Sequence, residues 1–191
     1  MQERSDREII QDVLNGNKDL FEILVARYEK SIFNYIYGLV RQRQEAEDLT
    51  QEAFVKAFFA LQTYNCSFEF STWMYRIARN VCLDYFRRQK IRSFLSLNAP
   101  VGEEEEGEFG DFLTDGKDPE EGVLEGELLE RLSRAIGKLP LKFREVIILR
   151  YVEDLPYEEI ARILNLPMGT VKTYIHRAKG KLKELLGEEF S

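Results

Sequence analysis

The stretch 155–186, LPYEEIARILNLPMGTVKTYIHRAKGKLKELL, reads as two helices joined by a tight turn. In its first half Ile160, Ala161 and Leu164 recur at helical spacing, and Glu158 and Glu159 occupy the first turn, where negative charge suits the helix dipole. Small Ala161 lets a second helix approach closely. Asn165, Leu166 and Pro167 then break the pattern, because Asn tolerates a left-handed conformation and Pro disfavours helical geometry before it while suiting the opening of a new helix. The second half puts Val171, Ile175, Ala178, Leu182 and Leu185 on one stripe and Lys172, Thr173, His176, Arg177 and Gly180 on another. One stripe packs; the other is left to read.

That is the pattern of a helix-turn-helix, whose second helix offers its N-terminal side chains to base edges in the major groove. Lys172 and Arg177 are cations suited to guanine acceptors or phosphates, Thr173 pairs with several partners, and His176 donates or accepts. The competing reading is an ordinary amphipathic helix with a solvated basic face.

Working outward, the 191 residues leave room for two domains, and a hydrophobic fraction of 44% with 12% aromatics supports packed cores. No apolar run approaches the roughly 20 residues of a bilayer span, and Met1 to Glu8 lacks the apolar core of a signal peptide, so a cytoplasmic protein is expected. Two cysteines, Cys66 and Cys82, and one histidine, His176, cannot form a Cys/His zinc set. No metal or cofactor is expected, and the cysteines are read as free thiols.

The net charge of −7 is unevenly spread. Residues 1–93 carry +1, residues 127–191 carry +2, and residues 94–126 carry −10, with Lys117 alone against eleven acids. This segment includes VGEEEEGEFGDFLTDGKDPEEGVLEGE, residues 101–127, and cannot bury enough apolar surface to fold alone. The expected organisation is all-α: a helical domain over 1–93, a flexible acidic linker over 94–126 and a helix-turn-helix domain over 127–191.

In the first domain, helical patterns cover Glu8 to Leu14, Lys18 to Arg41 and Gln44 to Leu61, and Ala46, Leu49, Ala53, Ala57 and Ala60 point inward from the last. Its other side shows Asp48, Gln51, Glu52 and Lys56, either a solvated face or a docking strip for a basic helix. Next comes the turn-prone segment Thr63 to Phe70, then a helix over Ser71 to Arg88 carrying Trp73, Arg76, Arg79 and Asn80 and ending in Arg87, Arg88, Lys90 and Arg92. Rings beside cations suit single-stranded nucleic acid, where each stacked base contributes about 1 to 3 kcal/mol and Lys and Arg neutralise phosphates. Base contact and core anchoring both remain open for Phe68, Phe70 and Trp73. In the second domain, Asp118-Pro119 reads as a helix start, Leu124 to Leu139 carries a buried stripe, and Leu141 to Glu153 is a nearly apolar hub running through Tyr151 and Val152.

The segment 138–186, KLPLKFREVIILRYVEDLPYEEIARILNLPMGTVKTYIHRAKGKLKELL, is similar to the C-terminal DNA-binding domain of bacterial sigma factors. Residues 45–58, EAEDLTQEAFVKAF, and 70–88, FSTWMYRIARNVCLDYFRR, resemble the sigma domain that grips the polymerase core and opens the promoter. The chain resembles a sigma-70 family factor of the extracytoplasmic function (ECF) type, with the sigma2-like and sigma4-like domains only. The resemblance implies that Asp48, Leu49, Gln51 and Glu52 dock on the coiled coil of the polymerase beta-prime subunit. It implies that Tyr64, Asn65, Phe68, Phe70, Trp73, Arg76 and Asn80, with Arg87 and Arg88, capture the melted −10 strand. It also implies that Lys172, Thr173, His176 and Arg177 read the duplex −35 element, with Tyr157 and Lys179 near phosphates.

Implied partners are core RNA polymerase (beta-prime and beta subunits), promoter DNA and an anti-sigma factor controlling a stress response. The free protein is expected to be a monomer that inserts in no membrane and catalyses nothing. A stand-alone regulator would need a dimer interface or ligand pocket, and a metal-dependent nuclease would need convergent carboxylates. Two departures from the family pattern stand out: Pro156 replaces a capping Ser, leaving Asp154 as the nearest cap, and Asn165 replaces the usual turn glycine. If the promoter elements lie roughly 70 Å apart, two turns of B-DNA, a 33-residue linker reaching about 110 Å lets both domains touch DNA at once.

Overall fold

A computed structural model describes residues 4–95 and 122–188, with side chains over 4–91 and 128–187. The chain divides into two compact helical units, and the described residues contain no strand. None of the described helices is long and apolar enough to cross a membrane.

The first unit comprises α1 (Asp6–Leu14), α2 (Phe21–Val40), α3 (Arg43–Ala60) and α4 (Phe70–Leu95), with single 3-10 turns at Lys18–Leu20 and Leu61–Thr63. Helix α1 begins two residues before the apolar pattern does. Ser5 caps it: the Ser5 hydroxyl accepts from the Glu8 amide, and the Ser5 amide donates back to Glu8 at 2.8 Å. The Ser5 backbone N–H and then its hydroxyl hold the Glu8 carboxyl below its usual pKa. Helix α2 packs against α1, α3 and α4 and buries Leu24, Ile32, Tyr35, Ile36 and Leu39 almost completely. Each such side chain removed from water contributes roughly 1.5–3 kcal/mol. From α3, Ala46, Leu49, Ala53 and Ala57 face this core, and their small size permits a close approach of α2 and α4.

The second unit comprises α5 (Gly122–Lys138), α6 (Leu141–Ile147), α7 (Tyr157–Leu164) and α8 (Met168–Glu188). Between α5 and α6 the Arg144 guanidinium donates to the Gly137 and Leu139 carbonyls, satisfying backbone acceptors left open at the end of α5. Val146, Ile147, Ile148 and Leu149 are all buried, so this segment is the hub against which α8 packs.

The structure keeps the hub's helical length but corrects its last turn. Helix α6 passes into a π-helical turn over Ile148–Val152, and Tyr151 emerges to solvent at 48% exposure. Apolar periodicity alone does not register the extra residue that such a turn inserts. A second correction concerns α7, whose N-cap is Pro156 with no side-chain acceptor. Asp154 does not cap it; this residue adopts φ +49° and pairs with Arg150 at 3.1 Å. Glu158 and Glu159 in the first turn instead supply negative charge to the open amides.

At the α7–α8 junction Asn165 adopts φ +53°, ψ +49°, and the Leu166 amide returns to the Ala161 carbonyl at 3.0 Å. Thr170 and Val171 donate to the Pro167 carbonyl and start α8. Helix α4 continues through Leu95, since nothing after Arg88 breaks it, and α5 is already helical at Gly122. Both helices thus enter the ends of the segment 94–126. The helix start read at Asp118-Pro119 lies outside the described residues.

Because Asn pays part of the left-handed penalty that Gly escapes, Asn165→Gly is expected to leave stability unchanged or raise it by up to about 1 kcal/mol. A β-branched Asn165→Val should cost about 1–2 kcal/mol. Urea unfolding followed by helical circular dichroism distinguishes the two; equal stability of all three proteins would contradict the turn geometry.

Candidate nucleic-acid interface

On α8, Val171, Ile175 and Ala178 are buried, and Leu182 and Leu185 are half-buried. That packing leaves Lys172, Thr173, His176, Arg177 and Gly180 exposed, as the spacing predicts, and Lys179 beside them. The Thr173 hydroxyl donates to the Gly169 carbonyl at 2.9 Å. Lys179 is held: its ammonium lies 4.9 Å from the Tyr151 ring centre, and the bond to the Tyr151 hydroxyl keeps its pKa above the ordinary lysine range.

Two members of this surface escaped the sequence reading. The Arg150 guanidinium lies 5.6 Å from the Tyr157 ring centre and 5.9 Å from that of Tyr151, and it also donates to the Leu155 carbonyl at 3.1 Å. Arg150, Asp154, Pro156, Tyr157, Glu158 and Lys172 together line one open depression of about 510 Å³. The π turn carries Arg150 and Tyr151 out of the hub towards α7 and α8. The available signal was the Arg150–Asp154 spacing of four, which resembles any helical ion pair.

In the first unit the structure divides the −10 candidates into two classes. Phe70 is 0% exposed, so it is a core residue and not a base-stacking one. Its ring contacts Tyr28 at 5.3 Å, Trp73 at 5.6 Å and Tyr64 at 5.8 Å, and Tyr64 meets Trp73 at 5.4 Å. These separations are those of ordinary aromatic packing. Around that buried ring, Tyr64 and Trp73 are half-exposed, while Asn65, Phe68, Arg76 and Asn80 are exposed. Trp73, Arg76 and Asn80 share one face of α4 at helical spacing.

The loop is internally braced. Asn65 accepts from the Ser67 amide at 2.9 Å, and the Tyr64 hydroxyl donates to the Phe68 carbonyl at 2.5 Å. Burial first, and the nearby Glu69 carboxylate second, raise the Tyr64 phenol's pKa and keep it a donor. Arg87 and Arg88 lie about 10 Å further along α4, where Arg87 pairs with Asp84 at 2.6 Å. Cys66 is exposed and Cys82 buried, both unbridged.

The α3 strip is also corrected at one position. Asp48 and Gln51 are exposed, but Leu49 is 3% exposed and belongs to the core beneath them. Glu52 is half-exposed and paired with Lys56 at 2.8 Å and Arg88 at 3.6 Å. The strip continues through two residues not singled out in the sequence, Val55 and Phe59, exposed at 55% and 80%.

Two helical units, one ending in a helix-turn-helix with a free basic face, define a DNA-binding protein of two parts. Residues 24–91 match the family Sigma-70 region 2, and residues 129–182 match Sigma-70, region 4. The chain is 38% identical to the ECF RNA polymerase sigma factor SigW of Bacillus subtilis, over 93% of its own length and 94% of that protein. It is 35% identical to the ECF RNA polymerase sigma-E factor of Escherichia coli K12, over 92% and 91% respectively. Its fold is similar to that of CnrH solved in complex with the cytosolic domain of CnrY, with a TM-score of 0.68, 25% identity, and coverage of 97% of this chain and 99% of that one. The chain belongs to the sigma-70 family of RNA polymerase sigma factors, in its ECF group. That family consists of transcription regulators rather than catalysts.

The burial difference within the segment 64–70 predicts opposite outcomes for two phenylalanines. Phe70→Ala should destabilise the first unit by about 3–5 kcal/mol, whereas Phe68→Ala should stay within about 0.5 kcal/mol of the parent in denaturant titration. Comparable losses from both would contradict the assignment.

Proposed function

We propose that this protein binds core RNA polymerase and directs promoter-specific initiation as an ECF sigma factor, reading a −35 element as duplex and a −10 element as melted strand. The observation that carries the reading is the availability of every required polar face in one chain of this family. Asp48 and Gln51 are free on α3, Arg76 and Asn80 on α4, and Lys172, His176 and Arg177 on α8. Asp48, Gln51 and Glu52 dock on the beta-prime coiled coil, where carboxylates meet basic side chains. Lys172 and Arg177 supply donors to base edges or phosphates, Thr173 and His176 tune the choice of base, and Tyr157 and Lys179 contact the backbone. Arg150 joins this backbone set, because its guanidinium shares the depression with Lys172.

At −10, Tyr64, Asn65, Phe68, Trp73, Arg76 and Asn80 receive an unstacked base, and Arg87 and Arg88 neutralise phosphates nearby. Phe70 supports the pocket from below. The order of events follows from the modest charge of each unit: polymerase binding comes first, and DNA affinity arises once both units are tethered to one large complex. Residues 94–126 act as the acidic tether between the functional domains 1–93 and 127–191.

The protein works in the cytoplasm as a monomer until it joins polymerase, within a stress response. An anti-sigma factor restrains it by covering the α3 strip. CnrH, solved with the cytosolic domain of CnrY, offers a parallel for such a complex.

Gel filtration with bacterial core polymerase and in vitro transcription separate the roles. Asp48→Lys should abolish co-elution with the core enzyme. The double variant Lys172→Ala, Arg177→Ala should co-elute normally yet lose ten-fold or more of −35-dependent transcription, at about 1–3 kcal/mol per lost base contact. Lys179→Ala should lower the salt slope of promoter binding by about 1 without changing sequence preference. Normal −35 selectivity in the double variant would sink the assignment of α8.

A further inference from the structure

Helix α1 lies outside the matched region 2, which begins at residue 24, yet it is tied to the loop that carries the −10 candidates. Asp6, in the first turn of α1, accepts from two residues of α2: the Arg27 guanidinium and the Tyr28 hydroxyl. Arg27 also donates to the Arg4 carbonyl at 3.0 Å, which clips the start of the chain to α2. The Asp6 and Arg27 side chains keep only 16% and 26% of their exposure, so the pair is shielded far more than an ordinary surface bridge.

From Tyr28 the contact continues without a break. Its ring lies 5.3 Å from that of Phe70, and Phe70 in turn carries the rings of Tyr64 and Trp73 at 5.8 and 5.6 Å. Phe70 is wholly buried and opens α4, so its placement sets where the loop 64–69 joins the helix. Helix α1 also packs on the 3-10 turn Leu61–Thr63, immediately before Tyr64. The loop is therefore gripped at both ends, and both grips lead back to α1.

Burial, then the Asp6 hydrogen bond, pushes the Tyr28 phenol far above its usual pKa, so it stays a neutral donor to Asp6. The bond does not fade at neutral pH. Asp6 and Arg7 sit near enough to Tyr64 to act on its phenol electrostatically.

We propose that Asp6 and Tyr28 are positioning residues for −10 strand capture: α1, through Asp6–Tyr28–Phe70, sets the geometry of the pocket walled by Tyr64 and Trp73. Neither residue touches the captured base. This rests on the reading of that pocket as the site of −10 base capture. The physical logic is that a loop without regular hydrogen bonding has many conformations, and a pocket that must accept an unstacked base loses affinity in proportion to the disorder it has to remove on binding.

The test uses holoenzyme assembled from this protein and core polymerase, and a fluorescent non-template strand from a promoter it transcribes. Two forms of the strand are compared, one intact and one abasic at the captured position. Wild type should bind the intact strand at least ten-fold better than the abasic one. Tyr28→Phe keeps the ring and loses only the hydroxyl; it should weaken the intact strand about five-fold while leaving the abasic strand, core association and duplex −35 binding unchanged. Asp6→Ala, which also releases Arg27, should weaken it at least as much, and the double variant should be no worse than Asp6→Ala alone.

Hydrogen exchange on the free protein supplies a second readout. Amides of residues 64–70 should exchange faster in Tyr28→Phe while those of α2 and α3 keep their protection. Wild-type affinity for the intact strand with unchanged loop exchange would overturn the proposal, as would uniformly faster exchange across the unit, which marks a purely structural role. Failure of wild type itself to distinguish the intact from the abasic strand would instead remove the base-capture reading, and the proposal with it.

Discussion

Val171, Ile175 and Ala178 are buried on one side of α8, which packs on α5, α6 and α7, and this contact gives the exposed basic face of α8 its geometry. Most of a helix's stability in a folded protein comes from packing of its apolar face, so side chains on the free face of α8 are held in register because the apolar stripe opposite them is held. Helix α3 repeats the arrangement, with Ala46, Leu49, Ala53 and Ala57 inside and Asp48 and Gln51 outside. In both cases the polar residues receive their positions from apolar neighbours three or four places away. The π turn at Ile148–Val152 adds a variation by moving Arg150 and Tyr151 from the hub to the same side as Tyr157 and Lys179.

The aromatic residues of the first unit show how packing and recognition divide within one loop. Phe70 is consumed by the core, Phe68 is open to solvent, and Tyr64 and Trp73 lie between, half-exposed and in ring contact with Phe70 and with each other. Their reliability depends on the immobility of the ring beneath them.

Helical periodicity made most of this legible from the chain alone: the α8 stripe, the α3 stripe and the left-handed turn at Asn165 are all where spacing puts them. What it missed has physical reasons. Phe68 and Phe70 stand two residues apart in a loop, where no period distinguishes inside from outside, so only the fold could send one to the core. The same holds for Leu49, read as both inward-facing and part of the docking strip. The π turn altered the register without altering the composition, which hid Arg150. Ser5 and Glu8 did spell a capping box, and it was passed over because the apolar pattern began later. Promoter choice stays out of reach of such reasoning, since Lys172, His176 and Arg177 each accept more than one base or phosphate partner.

On the proposed function, this chain lends sequence choice to an enzyme that lacks it. Transcription by purified bacterial core polymerase from a randomised promoter library, with and without this protein, tests that directly. Transcripts are expected only with the protein present, from promoters sharing two short elements about two helical turns apart. Transcripts with no shared element, or none at all from a core enzyme shown to bind the folded protein, would contradict it.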